Sequence, residues 1–532
     1  MTLVQWFIFI LIIQVIHGLG TWKLYQKAGR QAWEAFIPVY NAVILMKIIN
    51  RPWWWTILLF LPIVNLIMFP VIWVETARSF GKSSTTDTWL AILSLGFYNY
   101  YLNYAGDNLT YIENRDLHPK TATGDWVSSI LFAIVAATIV HTYFIQPYTI
   151  PTSSLEKSLL VGDFLFVSKF HYGARIPMTT LAAPMVHDTI PVLGTKSYLY
   201  NDNAKEEKTS LINKFQLPYL RLPGFQNVER NDIVVFNWPV DTLYNMYKPA
   251  NRAYKKPIDK ETNYVKRCVG LPGDSLEVRN GYVYINGQKN ELPDRAKLQF
   301  SYKVETKNGP FDNYELSKRY GITDFPHYNQ NYTVCYFPGI TNETVEKFKN
   351  HPNVAKIEPL MREKGEREGS VFPHDPAYNW NNDFFGPLYI PKAGATIELN
   401  TDVLPLYKRL ITEYENNELQ VKGNQIFING QQTSTYTFKQ DYYWMMGDNR
   451  HNSQDARSWG YVPMDHIVGK PVFIWMSYNQ HGKGIGEKIR WDRLFTTVNG
   501  SGKPTSYFIP FLILMVVGYG FNKFRKRKKE QA

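Results

Sequence analysis

Three short segments of the chain hold the residues whose types and spacing could do chemistry. The first is Pro151-Thr152-Ser153-Ser154-Leu155, followed by Leu159-Leu160-Val161-Gly162-Asp163-Phe164. The second is Tyr264-Val265-Lys266-Arg267-Cys268-Val269-Gly270-Leu271-Pro272-Gly273-Asp274. The third runs Gly447-Asp448-Asn449-Arg450-His451-Asn452-Ser453-Gln454-Asp455-Ala456-Arg457. A serine hydroxyl is a weak nucleophile until a neighbouring base takes its proton. Lysine serves as that base only when neutral, so a reference pKa of about 10.4 must fall to about 7 or 8. That shift is roughly 3–5 kcal/mol of disfavoured charge, a size that burial against apolar side chains supplies. Taken singly, each segment has a bland reading: turn serines after Pro151, a solvated edge-strand Lys266, an Asx-rich loop. Their occurrence together, in order, behind an apolar run is what points to a shared site.

The elements that must position these residues begin in a membrane. The 532-residue chain is too long for one compact domain. It is 45% hydrophobic and 15% aromatic, yet its mean hydropathy is −0.29, so a large water-exposed part is joined to concentrated apolar runs. These runs are residues 3–19, 53–74, 89–104, 127–145 and 507–521. The first lacks the basic start and small-x-small end of a cleaved leader and reads as a retained span. Lysines and arginines gather after the first run (Lys23, Lys27, Arg30, Lys47, Arg51) and in the tail Lys523-Phe524-Arg525-Lys526-Arg527-Lys528-Lys529. Both regions should therefore be cytoplasmic. Five spans with the N-terminus outside satisfy this, and they put residues 146–503 on the outer face. The net charge of +12 reads as membrane flank, since no stripe of aromatics and cations suggests nucleic acid. Cys268 and Cys335 read as buried thiols, and no Cys/His cluster has metal-ligand spacing, so neither metal nor cofactor is expected.

The outer block reads as β-rich. Short strands rich in β-branched and aromatic residues are expected at 161–170, 232–238, 275–278, 282–285, 425–428 and 472–478, with turns at Pro272-Gly273-Asp274, Asn286-Gly287 and Asn429-Gly430. The stretch 289–435 carries one convincing helix, 403–415, and no catalytic pattern, and is expected to be an inserted α+β lobe. The resulting division is a membrane region 1–126, a span 127–146, a catalytic core 147–288 plus 436–503, the insertion 289–435, and a final span with tail 504–532.

The three segments, with a fourth at Asn231-Asp232-Ile233-Val234-Val235-Phe236-Asn237-Trp238-Pro239, closely resemble the conserved boxes of bacterial type I signal peptidases, or leader peptidases. The resemblance implies a multi-span helical membrane region bearing a mainly-β extracytoplasmic catalytic domain of antiparallel sheets. It implies a Ser/Lys serine endopeptidase of the inner (cytoplasmic) membrane, which cuts exported preproteins after a small-x-small motif. Signal peptides, the lipid bilayer and the export machinery are its expected partners. Aligned through the Leu-Leu-Val-Gly-Asp-Phe run, the family nucleophile falls on Ser154 and not Ser153, and the base on Lys266. The oxyanion donors fall on the Thr152 hydroxyl and the Ser154 backbone N–H, and the serine that orients the lysine amine falls on Ser453. Asp455 and Arg457 match a supporting salt bridge, while Gly447, Asp448 and Asn449 shape the wall. Val265, Val269 and Leu271 are expected to keep the amine dry. The chain departs from the family pattern at Ser153, Leu155, Lys157 and Ser158, with Lys157 read as solvent-facing, and His451 is expected to have no catalytic part. The contrasting expectation is a peptide-binding membrane scaffold of the same fold without activity.

Overall fold

The computed structural model describes all residues except 107–108, 120, 208, 247–249 and 531–532. The chain divides into two compact units. One comprises Met1–Phe144, Arg175–Leu222 and Asp241–Thr262; the other comprises Ile145–Ala174, Pro223–Val240 and Asn263–Ala532.

Among the described residues, three helices are long and apolar enough to cross a membrane: Leu3–Lys27, Ala122–Phe144 and Phe508–Lys528. The first opens on a capping box, in which Thr2 Oγ1 accepts from the Gln5 N–H and Gln5 Oε1 accepts from the Thr2 N–H. Reciprocal satisfaction of two orphan donors lets a helix begin so near a chain end. The runs 53–74 and 89–104, expected as spans, are not single continuous helices. Residues 53–74 break into Trp55–Leu58 and Val64–Ser79, with a turn through Pro62 and with Ile63 at φ 71°. Residues 89–104 break between Thr85–Leu93 and Tyr98–Ala105, where Leu95 and Gly96 both have positive φ. A Cβ on Gly96 would sit 2.6 Å from the Trp73 indole, so close packing and turn geometry, not hydropathy, decide these breaks.

Of the stretch 147–288, residues 175–222 and 241–262 fall in the first unit. Polar contacts hold these stretches. The side chain of Lys256 is fully buried, with Nζ 3.1 Å from Asp241 Oδ2. The same oxygen accepts from Thr262 N and Oγ1, each at 2.7 Å. Such a network has no sequence period, so alternation could not reveal it.

The second unit is built on an antiparallel sheet of eight strands: β1 (Ile145–Thr149), β2 (Asp163–Ser168), β3 (Ile233–Asn237), β4 (Asn263–Gly270), β5 (Tyr442–Met446), β6 (Val462–Pro463), β7 (Ile467–Ser477) and β8 (Thr496–Thr497). Their spatial order is β1-β2-β7-β3-β4-β5-β6, with β8 also pairing β7. The long strand β7 joins the halves, pairing β2 through Lys470–Ser477 and β3 through Ile467 and Gly469. At that switch a Cβ on Gly469 would lie 2.4 Å from Ser168 O, so only glycine permits the approach. One face packs Ile150, Leu155, Leu159, Leu165, Val235 and Ile474; another group packs Val234, Phe236, Cys268, Met445 and Trp459.

The stretch 289–435 is two things rather than one lobe. Gln299–Thr306, His327–Tyr328, Val334–Thr341 and Val354–Pro359 form a separate four-stranded sheet, whose core includes Phe300, Val304, Phe337 and Phe348. Phe385–Tyr389 instead pairs Ser275–Arg279, and Phe385, Leu404 and Leu410 pack with Trp444 and Tyr461 of the main sheet region. The expected helix appears as Leu404–Arg409 continuing through a wider turn at Leu410–Tyr414. The two similar hairpins both turn on Asn-Gly with φ positive at each residue (Asn286, Gly287; Asn429, Gly430). That is the type I′ requirement, so shared turn chemistry accounts for their likeness.

Candidate active site

Lys266 and Arg267 lie on β4, between β3 and β5 and not at a sheet edge. Pleating sends alternate side chains to opposite faces, which gives two adjacent cations separate tasks. Lys266 pairs across the ladder with Val234, itself fully buried. The Tyr264 ring centre lies 5.5 Å from its Nζ. Lys266 is 3% exposed, and burial lowers its pKa to about 8 although Asp455 and Asp448 oppose the shift. Val265 and Val269 pack in other groups, with Leu155 and with Leu276. Leu271, the third residue of the expected wall, packs in one group with Val234 and Tyr264, so the wall is made by Val234 across the ladder, Tyr264 along the strand and Leu271.

Ser154 sits in the loop between β1 and β2. Buried Ile150, Leu155 and Leu159 anchor that loop, and Ile150 N–H donates to Asp163 O at 2.9 Å while Gly162 N–H donates to Ile150 O at 2.9 Å. The anchoring turns the serine inward, leaving it 7% exposed, and Lys266 Nζ donates to Ser154 Oγ at 2.6 Å. Ser153 points elsewhere: its Oγ accepts from Asn452 Nδ2 at 3.2 Å. Thr152 is exposed. Lys157 is not solvent-facing as expected. It has φ 73° and is partly buried, with its ammonium donating to Gly321 O.

The Gly447–Arg457 segment closes the other side. Asn449 N–H donates to Ser154 O at 3.1 Å and its Nδ2 to Ser153 O at 3.3 Å, tying the serine loop to the wall. A Cβ on Gly447 would meet Ser453 Oγ at 2.2 Å and Ser154 O at 2.6 Å. Ser453 Oγ is buried and has no hydrogen-bond partner among the described residues, so the structure brings Ser453 to the site without the expected bond to Lys266. Asp455 and Arg457 are fully buried and form a fork, Nε to Oδ1 at 2.9 Å and Nη2 to Oδ2 at 2.8 Å. Asp455 Oδ2 also accepts from Gly447 N–H at 3.0 Å.

Three contributors escaped the sequence reading. Arg267 makes a second fork, to Asp448, at 2.8 and 2.7 Å, and Ser158 Oγ donates to Asp448 Oδ2 at 2.7 Å. Asp324 accepts from both Asn449 and Asn452. Arg267 carried a usable signal, since a buried arginine on a central strand requires a carboxylate. Asp324 carried none. His451 is occupied away from the serine, accepting from Ser301 N–H at 2.9 Å and lying 2.7 Å from Asp383 Oδ1. Among the described residues no group of His, Cys, Asp or Glu could hold a metal ion. A serine hydroxyl against a buried amine of lowered pKa, with fixed dipoles around it, is an arrangement able to carry out acyl transfer.

Comparison with known proteins finds matches to two family models. The family model described as "Signal peptidase, peptidase S26" matches residues 123–338 and 390–476, more than half of the chain. A family of unknown function (DUF5684) matches residues 33–114. The signal peptidase I of Haemophilus influenzae is 24% identical over 403 residues, covering 74% of this chain and 81% of that protein. The signal peptidase I of Buchnera aphidicola subsp. Acyrthosiphon pisum is 22% identical over 409 residues, covering 75% and 90%. That of the subspecies from Schizaphis graminum is 26% identical over 399 residues, covering 74% and 89%. With its apolar helices, its antiparallel catalytic sheet and this match, the chain belongs to the signal peptidase family, peptidase S26.

Proposed function

We propose that the protein is a membrane-bound serine endopeptidase that removes signal peptides from exported precursors after a small-x-small motif, with Ser154 as nucleophile and Lys266 as base. The observation that carries this reading is the 2.6 Å contact between Lys266 Nζ and Ser154 Oγ, on an amine buried enough to lie near pKa 8. When the amine is neutral, the hydroxyl donates to it. Ser154 Oγ then attacks the scissile carbonyl carbon as Lys266 takes the proton. The oxyanion is met by the Ser154 N–H and the Thr152 hydroxyl, donors aimed at charge that develops only in the transition state. Lys266 returns the proton to the leaving amine, and water, deprotonated by the same lysine, resolves the acyl-enzyme. Ser453 fits the role of holding the amine in register, because its unpartnered oxygen comes free at Gly447 without bringing a second negative charge. The catalytic unit lies on the outer face of the inner membrane and the basic tail in the cytoplasm, following the charge bias of the flanks.

The reading predicts a single cut in a precursor carrying Ala-x-Ala before the mature sequence, located by mass spectrometry of both products. Replacing the last alanine by phenylalanine should lower kcat/KM at least hundredfold. Equal cleavage of the two precursors would refute the proposed specificity.

A further inference from the structure

Beside the serine lies a pocket that the reaction above leaves unused. It measures about 410 Å³ and opens against Thr152 and Ser153, with Glu156, Thr323, Asp324 and Arg490 among its walls. Glu156 is 1% exposed. Its Oε1 accepts from Thr323 Oγ1 at 2.7 Å, but its Oε2 is buried with no hydrogen-bond partner among the described residues. A carboxylate oxygen in that state is costly unless a donor arrives. The neighbouring polar groups are engaged elsewhere. Asp324 Oδ2 accepts from Asn449 and Asn452 at 2.9 and 3.1 Å. Arg490 Nη1 donates to Val161 O, Ser477 Oγ and Tyr478 O, and Lys157 donates to Gly321 O.

Next to the serine loop, Ile150 and Leu155 pack in the core with Val265 against them. The pocket differs in character, being roomy and lined by hydroxyl, carboxylate and guanidinium groups. Because Thr152 and Ser153 line the pocket, a peptide held at Ser154 passes beside it. We propose that this pocket binds a side chain from the mature side of the precursor and favours one that donates a hydrogen bond to Glu156. The proposal rests on the reading of Ser154 as nucleophile.

The test uses the full-length protein in detergent and Ala-x-Ala peptides differing either at the middle position x or at one of the first three positions after the cut, Thr against Val and Gln against Met. At one of those positions the donor side chain should raise kcat/KM roughly tenfold over its apolar counterpart, the size of one charge-assisted hydrogen bond. In Glu156→Gln, whose amide turns a donor toward the pocket, that ratio should fall toward one. Equal kcat/KM within each pair at all three positions overturns the proposal, as does a donor preference found only at the middle position of small-x-small. A ratio unchanged in Glu156→Gln also overturns it. Should that variant fail to fold, the wild-type ratios decide alone. Absence of cleavage of every peptide would overturn the protease reading and this one together, whereas cleavage without donor preference removes this one only.

Discussion

At the scale of single residues, the account turns on what burial does to one amine. Burial lowers Lys266 to about pKa 8, and only the neutral form accepts the serine proton. Activity should therefore rise with pH, with log kcat/KM climbing at unit slope below about pH 8 and levelling above it. A profile flat from pH 6 to 9 would remove lysine from the role of base. The candidate pair was legible in the sequence because Ser154 and Lys266 stand in short, distinctive motifs. Its support was legible only in part. The Asp455–Arg457 fork could be anticipated from position and Arg267 from its place on a strand, while Ser158 and Asp324 reach the site only through packing that brings distant segments together. Ser153, beside Ser154 in sequence, has its hydroxyl bonded to Asn452 rather than to Lys266.

At the scale of elements, the site depends on two backbones meeting more closely than side chains allow. Gly447 faces Ser453 Oγ and Ser154 O at distances that no Cβ tolerates. Gly447→Ala should push the serine loop away from the wall. The expected consequence is a fall of roughly hundredfold in kcat/KM, as for a misplacement of about 1 Å. A loss of about 1–3 kcal/mol of stability, measured by thermal unfolding in detergent, should accompany it. Alanine tolerated with full activity would mean that the approach is not needed. Enrichment in β-branched and aromatic residues and the Asn-Gly turns made β2, β3, part of β7 and the two hairpins readable in advance. The polar stretches 175–222 and 241–262 were not readable, because buried pairs such as Lys256–Asp241 leave no period in the sequence.

At the scale of the whole molecule, hydropathy located the three long helices but overcounted continuous spans. Pro62 with Ile63, and Leu95 with Gly96, interrupt runs that composition alone presents as unbroken. The proposed topology can be read by labelling. Cys268 and Cys335 are buried, so the background is low. A cysteine at exposed Ser501 should react with a membrane-impermeant maleimide added outside intact cells, and one at Lys526 should react only after permeabilisation. The reverse pattern would invert the orientation. The central claim, that one serine and one buried lysine cut precursors, is tested most directly by cleavage of an Ala-x-Ala precursor by four purified proteins. The account predicts turnover by wild type and by Ser153→Ala, and none by Ser154→Ala or Lys266→Ala. Full activity in Ser154→Ala, with loss in Ser153→Ala, would contradict it.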